Sequence, residues 1–410
     1  MIRLSPVPGE DFSASVVLFA LAMGGFAIGT TEFAAMSLLP YFAHGLNIDE
    51  PTAGHVISAY ALGVVVGAPV IAVLAARIAR RTLLMALMLV FALANGLSAL
   101  APSYGWMLVF RFMSGLPHGA YFGVASLLAA SLVPRDRRSQ AVATVMIGLT
   151  AATIVGVPLA NGIGQIFGWR LGFGLVAVLA MATALAVRLV APIGLPRTGA
   201  SPLRELGALG RRQVWLTLGI GAIGFGGMFC VYTYLATTLI AVTGMAEAAT
   251  PLVFAVFGLG MTIGTIVCAR AADRALMPAV GATLLWSAGA LALFPLAAHS
   301  VWTVVPVVFL IGCGGGLGAI LQTRLMDVAD DAQTLAAALN HSAFNTANAL
   351  GPLLGGLAIG AGYGWAVTGW VGAGLALGGF AIFLVALWDA RRDQASTSLA
   401  PAQTGGSPTA

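Results

Sequence analysis

The sequence predicts an all-α polytopic membrane protein, with twelve transmembrane helices arranged as two pseudo-symmetric six-helix bundles. Two observations predict the membrane class: 59% of the 410 residues are hydrophobic, and only 8% are charged. So few charges could not cover the surface of a water-soluble protein of this length. Long segments free of Asp, Glu and Arg provide the helices, because each can hold one or two spans of about 20 residues.

Apolar spans separated by loop signals give the helix count. The first thirteen residues contain prolines and acids and no evident cleavage site, which indicates a tail ahead of an uncleaved first helix. The predicted helices cover residues 14–42, 52–76, 82–101, 104–133, 139–166, 170–191, 213–243, 249–270, 275–298, 301–328, 333–360 and 364–388.

The distribution of positive charge predicts the orientation. Seventeen of the nineteen basic residues, all of them arginine, lie in the tails and in the loops on one side. Because cytoplasmic loops are enriched in basic residues, both termini are expected in the cytoplasm and the chain in the bacterial inner (plasma) membrane. This bias explains the net charge of +5 without a nucleic-acid partner. The three cysteines are scattered through apolar segments, so no metal or cofactor is predicted.

The two halves of the chain repeat each other. Gly63 and Gly67 match Gly260 and Gly264 at an offset of 197 residues, and the pair Gly168-Trp169 matches Gly364-Trp365. A duplicated six-helix unit is typical of transporters that bind substrate between their halves near the membrane midplane. The predicted parts are a cytoplasmic N-terminal tail (1–13), a first bundle (14–191), a cytoplasmic linker (192–212), a second bundle (213–388) and a disordered cytoplasmic tail (389–410).

Glu32 is the candidate proton-coupling residue. It is a carboxyl group inside an apolar span, and acidic residues at membrane depth are costly and usually functional. Arg111 and His118 are seven residues apart on the fourth helix, at a height where either could reach Glu32. Arg111 would act as an electrostatic partner or substrate anchor, and His118 could relay protons. The alternatives are a static Glu32–Arg111 pair and a neutral, hydrogen-bonded His118.

Polar side chains on the inner helices are candidates for substrate binding. The third, sixth, ninth and twelfth helices are nearly purely apolar and are predicted to be peripheral, so the others should line a central path. Interhelical hydrogen bonding alone is an equally good interpretation of any single member. The candidates are Tyr121, Asn161, Tyr234, Thr238, His341, Asn345 and Asn348.

Several motifs resemble the major facilitator superfamily, and the resemblance extends from residue 16 to residue 388. The fourth helix carries Arg111-Phe-Met-Ser-Gly115, and the fifth carries Gly-Leu-Thr-Ala-Ala-Thr-Ile-Val-Gly-Val-Pro-Leu-Ala-Asn-Gly over residues 148–162. With Thr-Glu-Phe at 31–33, these motifs look like the twelve-helix drug:proton antiporter branch, and within it the arabinose-efflux-like permeases.

The resemblance also implies a set of gating residues and shows two departures. The family's loop between helices 2 and 3 has an acid where this chain has Ala76, and the fifth-helix motif has an extra residue between its Gly and Pro. The gating residues implied are Arg77, Arg81, Gly156, Pro158, Asp273 and Arg274.

The expected function is secondary active transport: proton-coupled export of a small solute by alternating access. A sugar, a nucleoside or an amphipathic drug would fit the candidate site, and the expected partners are that solute, protons and the lipid bilayer around a monomer. The nearest alternative is a proton symporter that imports a polar solute. A non-transporting membrane receptor is a further alternative. A membrane enzyme is not expected, because the sequence has no paired carboxylates, no HExxH and no GxSxG.

Overall fold

A computed structural model describes residues 13–75, 78–134, 138–193, 209–329 and 333–398, and the statements below refer to these residues. In them, twelve helical segments follow one another. They are α1 (Ala14–Ser37, continued by Leu39–Gly45), α2 (Glu50–Leu74), α3 (Arg80–Ala99), α4 (Tyr104–Ser131), α5 (Arg138–Ala151 and Val157–Phe167, joined by the π-helical turn Ala152–Gly156), α6 (Trp169–Val190), α7 (Arg212–Gly224, Gly226–Thr233 and Leu235–Ala241), α8 (Thr250–Arg274), α9 (Leu276–Ala297), α10 (Val301–Cys313 and Leu317–Ala329, joined by the 3-10 turn Gly314–Gly316), α11 (Gln333–Ala358, continued by the π-helical turn Ile359–Tyr363) and α12 (Thr368–Ser398).

Ten of these segments are long and apolar enough to cross a membrane, as far as the described residues allow. The two others, α4 and α11, have 28 and 26 residues, which is also enough for a span. They are less apolar because they carry the arginine, histidines and amides predicted at the centre of the protein. The predicted membrane architecture is confirmed.

The two bundles are built on the same plan. In the first, α2 packs on α4, α3 on α6 and α1 on α5. In the second, α8 packs on α10, α9 on α12 and α7 on α11, so each pair recurs six helices later. This confirms the two pseudo-symmetric six-helix bundles.

Glycines of the repeat allow helix backbones to touch. A methyl carbon on Gly63 or Gly67 of α2 would lie 2.2 Å from a backbone oxygen of α4. On Gly260 and Gly264 of α8 it would lie 2.3 and 2.1 Å from backbone oxygens of α10. Since no side chain fits at these distances, the small residues set the spacing of the helices. The four oxygens belong to Phe112, Leu116, Phe309 and Cys313, and each is matched by its partner 197 residues away.

The turns that lead into α6 and α12 also match. Gly168 and Gly364 have φ angles of 94° and 78°, in the region that only glycine adopts readily. Each is followed by a tryptophan, as the sequence repeat predicted. The duplication therefore extends from helix packing to individual turns.

The core shows where the two bundles meet. Around the end of α1 and the start of α2, buried residues of both bundles form one continuous cluster that includes Phe33, Phe42 and Phe229. Towards the side where α1 begins and α12 ends, which we call the terminal side, the first bundle has a core cluster of its own, and so has the start of α7. The bundles therefore share one core on the side opposite to the termini, and α2 and α4 also contact α11 across the interface.

The extra residue of the fifth-helix motif has a structural explanation. The sequence predicted an unbroken helix over 139–166, whereas the structure forms a π-helical turn at Ala152–Gly156, directly before Pro158. A π-turn holds one residue more than an α-turn, so it accommodates the insertion without shifting the rest of α5.

The predicted end of α12 at residue 388 is wrong. The helix continues to Ser398, so residues 389–398 of the tail predicted to be disordered are helical. Asp389 pairs with Arg212 at 3.0 Å and accepts a hydrogen bond from Gln213 at 2.8 Å, which ties this extension to the start of α7. The rest of that tail, the N-terminal tail up to residue 12 and linker residues 194–208 lie outside the described residues, so the domain limits there remain predictions.

The glycine contacts can be tested in purified protein. Gly260→Ala should lower the thermal unfolding midpoint, because its methyl group would overlap a backbone oxygen and overpacking costs about 1–3 kcal/mol. Gly289→Ala in α9 is the control, since no atom lies within 4 Å of the added carbon. That control should leave the midpoint unchanged or raise it, because alanine favours helices over glycine by up to about 1 kcal/mol. Equal effects of the two substitutions would contradict the packing described.

Candidate functional site

Glu32 lies at the interface between the two bundles. Its side chain belongs to α1 and is only 6% exposed. Its carboxylate accepts one hydrogen bond from a described side chain, the Asn348 amide of α11 at 3.2 Å. No ion pair joins Glu32 to an arginine of the described residues. The static Glu32–Arg111 pair considered from the sequence is therefore not formed in this structure.

Arg111 is fully buried and its described hydrogen-bond partners are neutral, although its charge and that of Glu32 interact through space without an ion pair. Its Nη1 donates to the Thr31 hydroxyl at 3.1 Å, and its guanidinium carbon lies 4.4 Å from the centre of the Tyr60 ring. The ring face attracts the positive charge. Nε and Nη2 of Arg111 have no hydrogen-bond partner. Arg111 therefore keeps two donors that a carboxylate or a ligand could use.

Asn95 of α3 completes this network and was missed from the sequence. Its side-chain oxygen accepts a hydrogen bond from the Thr31 hydroxyl at 2.6 Å and lies 3.5 Å from Nη1 of Arg111. The prediction that α3 is purely peripheral is therefore wrong. The available signal was an amide in the middle of an apolar span, where a polar group is retained only if it is hydrogen-bonded.

Two histidines face each other across the bundle interface. His118 of α4 has its Nδ1 2.9 Å from the Tyr60 hydroxyl, and its ring centre is 5.9 Å from that of His341 on α11. The His341 ring stacks on Phe122 of α4, with ring centres 5.1 Å apart. His118 thus has the hydrogen-bond partner expected of a neutral histidine, and it is also placed next to a second imidazole.

The remaining α11 candidates lie along the same interface. Asn345 donates from its side-chain nitrogen to the backbone oxygen of His341 at 3.0 Å, one turn earlier. The side-chain oxygens of Asn345 and Asn348 have no partner among the described residues. The structure therefore brings His341, Asn345 and Asn348 to the surface of α11 that faces the first bundle.

Of the four other candidates, three use their polar groups to join helices and the fourth bonds within its own helix. The Tyr121 hydroxyl and the Asn161 amide each donate to a backbone oxygen of α1 at 2.8 Å. The Tyr234 hydroxyl donates to a backbone oxygen of α11 at 2.8 Å, and Thr238 donates within its own helix at 2.9 Å. None of the four is hydrogen-bonded to Glu32, Arg111 or the histidines, so the structure does not bring them to the central site.

The gating candidates are spread over both sides of the protein. Gly156 lies against α1, where a methyl carbon would be 2.1 Å from the Thr30 hydroxyl oxygen, and Pro158 follows the π-turn. Arg81 donates to a backbone oxygen at the end of α6. Asp273 and Arg274 are exposed at the end of α8 and form no ion pair with a described residue. Arg77 and Ala76 lie outside the described residues.

Hydrogen bonds close the interface on the side opposite to the termini. The Thr237 hydroxyl of α7 donates to the carboxylate of Glu50, the first residue of α2. Gln165 of α5 donates to the Glu247 backbone oxygen at 2.9 Å and to the Thr250 hydroxyl at 3.0 Å, both in the second bundle. The sequence placed Glu50 at a turn and assigned it no role, because only the fold brings it to α7.

Glu50 sits next to a helix cap that fixes its position. Asp49 caps α2 by accepting a hydrogen bond from the Thr52 backbone N–H at 2.7 Å, and the Thr52 hydrogen bonds lower the pKa of the Asp49 carboxyl. The first turn of α2 is therefore held rigidly while Glu50 contacts the other bundle.

Comparison with known proteins relates this chain to one superfamily of membrane transporters. The family model described as Major Facilitator Superfamily matches residues 21–333 and 278–408. The Inner membrane transport protein YdhP of Escherichia coli K12 is 40% identical over 366 residues, which cover 88% of this chain and 94% of that protein. A protein named Probable sugar efflux transporter from Pasteurella multocida is 31% identical, with 92% of both chains covered.

A solved structure shares the fold at low sequence identity. It is a bacterial homologue of the human lysosomal transporter Spinster, in an inward-facing and occupied conformation. The TM-score is 0.68 at 17% identity, and the match covers 92% of this chain and 97% of that chain. The predicted resemblance is confirmed by these comparisons.

The Arg111 network predicts a stability effect in α3. Asn95→Leu should lower the free energy of unfolding by about 1–3 kcal/mol, because Thr31 and the buried guanidinium lose their shared acceptor. Ser98→Ala is the control, since Ser98 is equally buried and bonds only to a backbone oxygen of its own helix at 2.8 Å. Denaturant unfolding in detergent would measure both. An Asn95→Leu variant as stable as the control would contradict the network.

Proposed function

Because the chain belongs to the major facilitator superfamily and is a membrane transporter, we propose that it is a secondary active transporter that exports a small solute in exchange for protons. The observation that carries the proposal is the state of Glu32. This carboxyl group is buried between the two bundles, no arginine pairs with it, and its described hydrogen bond comes from the opposite bundle. A group in that position changes its surroundings whenever the bundles move.

Burial without a direct ion pair favours proton binding at Glu32. An isolated ionised carboxylate is costly in an apolar interior, so it takes up a proton or acquires a positive partner. The two free donors of Arg111, which is hydrogen-bonded to the neighbouring Thr31, could provide that partner after a small rearrangement. In the proposed cycle, Glu32 is protonated from outside and loses its proton when the site faces the cytoplasm, where substrate takes the proton's place.

Arg111, His118 and the α11 residues have supporting roles in this proposal. Arg111 adjusts the charge balance around Glu32, and His118, hydrogen-bonded to Tyr60 and next to His341, provides a second group that can accept a proton. His341, Asn345 and Asn348 line the interface from the other bundle and are proposed to contact the substrate.

The packing of the bundles supports alternating access. A shared core and hydrogen bonds join them on the side opposite to the termini, as a state closed on that side requires. With the arginine bias placing the termini in the cytoplasm, this state is closed to the outside. We propose a monomer in the bacterial inner membrane, in line with the name of the Escherichia coli relative.

The substrate classes proposed are sugars, nucleosides and amphipathic drugs. Export is the direction proposed, because the Pasteurella relative is named as an efflux transporter. Import by proton symport uses the same groups with the opposite coupling. The sign of the pH change that substrate induces in reconstituted vesicles separates the two, since antiport and symport move protons in opposite directions relative to the solute.

Replacement of Glu32 tests the proton site. In vesicles screened with the three substrate classes, Glu32→Gln should abolish the substrate-induced pH change, because the amide cannot take up and release a proton. Exchange of labelled for unlabelled substrate without a pH gradient should persist. Glu247→Gln is the control, because that side chain is exposed. Proton-coupled transport by Glu32→Gln at the wild-type rate would contradict the proposal.

A cross-link between the bundles tests the moving interface. Glu50→Cys with Thr237→Cys replaces a contact that should break when the site opens to the outside. Oxidation should lower transport at least tenfold, and reduction should restore it, whereas Thr237→Cys alone should be insensitive to oxidation. Unchanged transport in the cross-linked protein would contradict opening at this contact.

A further inference from the structure

Among the described residues of α11, three side chains keep polar atoms without hydrogen-bond partners. They are the hydroxyl of Ser342 and the side-chain oxygens of Asn345 and Asn348, and their side chains are 7%, 2% and 0% exposed. Nearly all buried polar groups in proteins are hydrogen-bonded, and each one left unpaired costs about 1–3 kcal/mol. Three such atoms on one helix, next to Glu32, need an explanation.

The three residues form a slanted stripe that winds around α11 from Asn348, which contacts the first bundle. They are spaced three residues apart, so successive members are separated by about 4.5 Å along the helix axis. Near one end of the stripe, His341 stacks on Phe122 of α4, and at the other end Asn348 contacts Glu32 of α1. The stripe therefore lies along the interface at which the proposed substrate would bind.

The chemistry of the free atoms defines the missing partner. The amide nitrogens of Asn345 and Asn348 already donate, to the His341 backbone oxygen and to Glu32. Their free atoms are carbonyl oxygens, which only accept hydrogen bonds, and an ionised Glu32 also only accepts. A partner for this surface must therefore supply O–H or N–H groups.

We propose that this stripe recognises hydrogen-bond donors of the substrate, and that the substrate is a polyhydroxylated solute with at least two hydroxyl groups. The side-chain oxygens of Asn345 and Asn348 are uncharged, so uncharged hydroxyl groups can serve as their donors. The Ser342 hydroxyl can both donate and accept a hydrogen bond. The inference rests on the proposed transport function. Among the three substrate classes it selects sugars and nucleosides over amphipathic drugs that lack hydroxyl groups.

Matched pairs of compounds test the proposal on the full chain in vesicles. The panel contains free pentoses, hexoses and nucleosides, each with its fully O-methylated derivative, together with hydroxyl-free amphipathic cations. Wild-type protein should transport at least one free compound, and O-methylation should lower its transport at least tenfold. Tenfold corresponds to about 1.4 kcal/mol, in the range of one hydrogen bond to a buried group.

Variants of the stripe give a second readout. Asn345→Leu and Ser342→Ala should lower transport of the free compound at least tenfold and leave the thermal midpoint unchanged or higher, because each removes an unpaired buried atom. Thr346→Val is the control, since that hydroxyl is already bonded to the Ser342 backbone oxygen at 2.9 Å. It should transport normally.

The outcomes separate this inference from the proposed function. Equal transport of free and O-methylated compounds, or transport of hydroxyl-free cations alone, would overturn the inference while leaving transport intact. Full transport by Asn345→Leu and Ser342→Ala would overturn it as well, and would indicate that ordered water fills the stripe. A wild-type protein that transports no member of the panel would contradict the proposed function and the inference together.

Discussion

The arrangement of the two bundles depends on the buried carboxyl group of Glu32, which forms no ion pair with a described residue. A membrane interior offers no water to stabilise it, so the protein must provide its surroundings from both bundles. Asn348 of the second bundle supplies the described hydrogen bond, and Arg111 of the first bundle is held by Thr31 and Asn95 instead. The state of Glu32 is thereby linked to the distance between the bundles, which is the coordinate that changes in alternating access.

Backbone symmetry and chemical asymmetry coexist in this protein. Matching glycines place α2 on α4 and α8 on α10 with the same close backbone contacts, so the two bundles share one architecture. Their polar contents differ, because the first bundle carries Glu32 and a buried Arg111, whereas the second presents asparagines on α11. In our interpretation the first bundle binds the proton and the second bundle binds the solute. Movement of one bundle against the other then couples proton transport to solute transport.

The contacts across the interface differ between the two sides of the protein. Aromatic rings such as Phe33 and Phe229 and the hydrogen bonds of Glu50 and Gln165 join the bundles on the side opposite to the termini. Towards the terminal side the bundles have separate cores. Because tightly packed helices resist deformation, motion is expected at this interface and not within a bundle. The π-turn of α5, next to α1, is a departure from regular helix within the first bundle.

The sequence by itself determined the membrane class and the duplication, because apolar length and glycine spacing are local properties of the chain, and it indicated Glu32 as the candidate proton site. It did not show that Arg111 leaves Glu32 unpaired, that Asn95 reaches the centre from an otherwise apolar helix, or that Glu50 meets Thr237. It also grouped Tyr121, Asn161 and Tyr234 with the α11 residues, although their polar groups bond to helix backbones. These differences were decided by the rotation and pairing of helices, since residue spacing gives the face a side chain occupies but not the partner that the face meets.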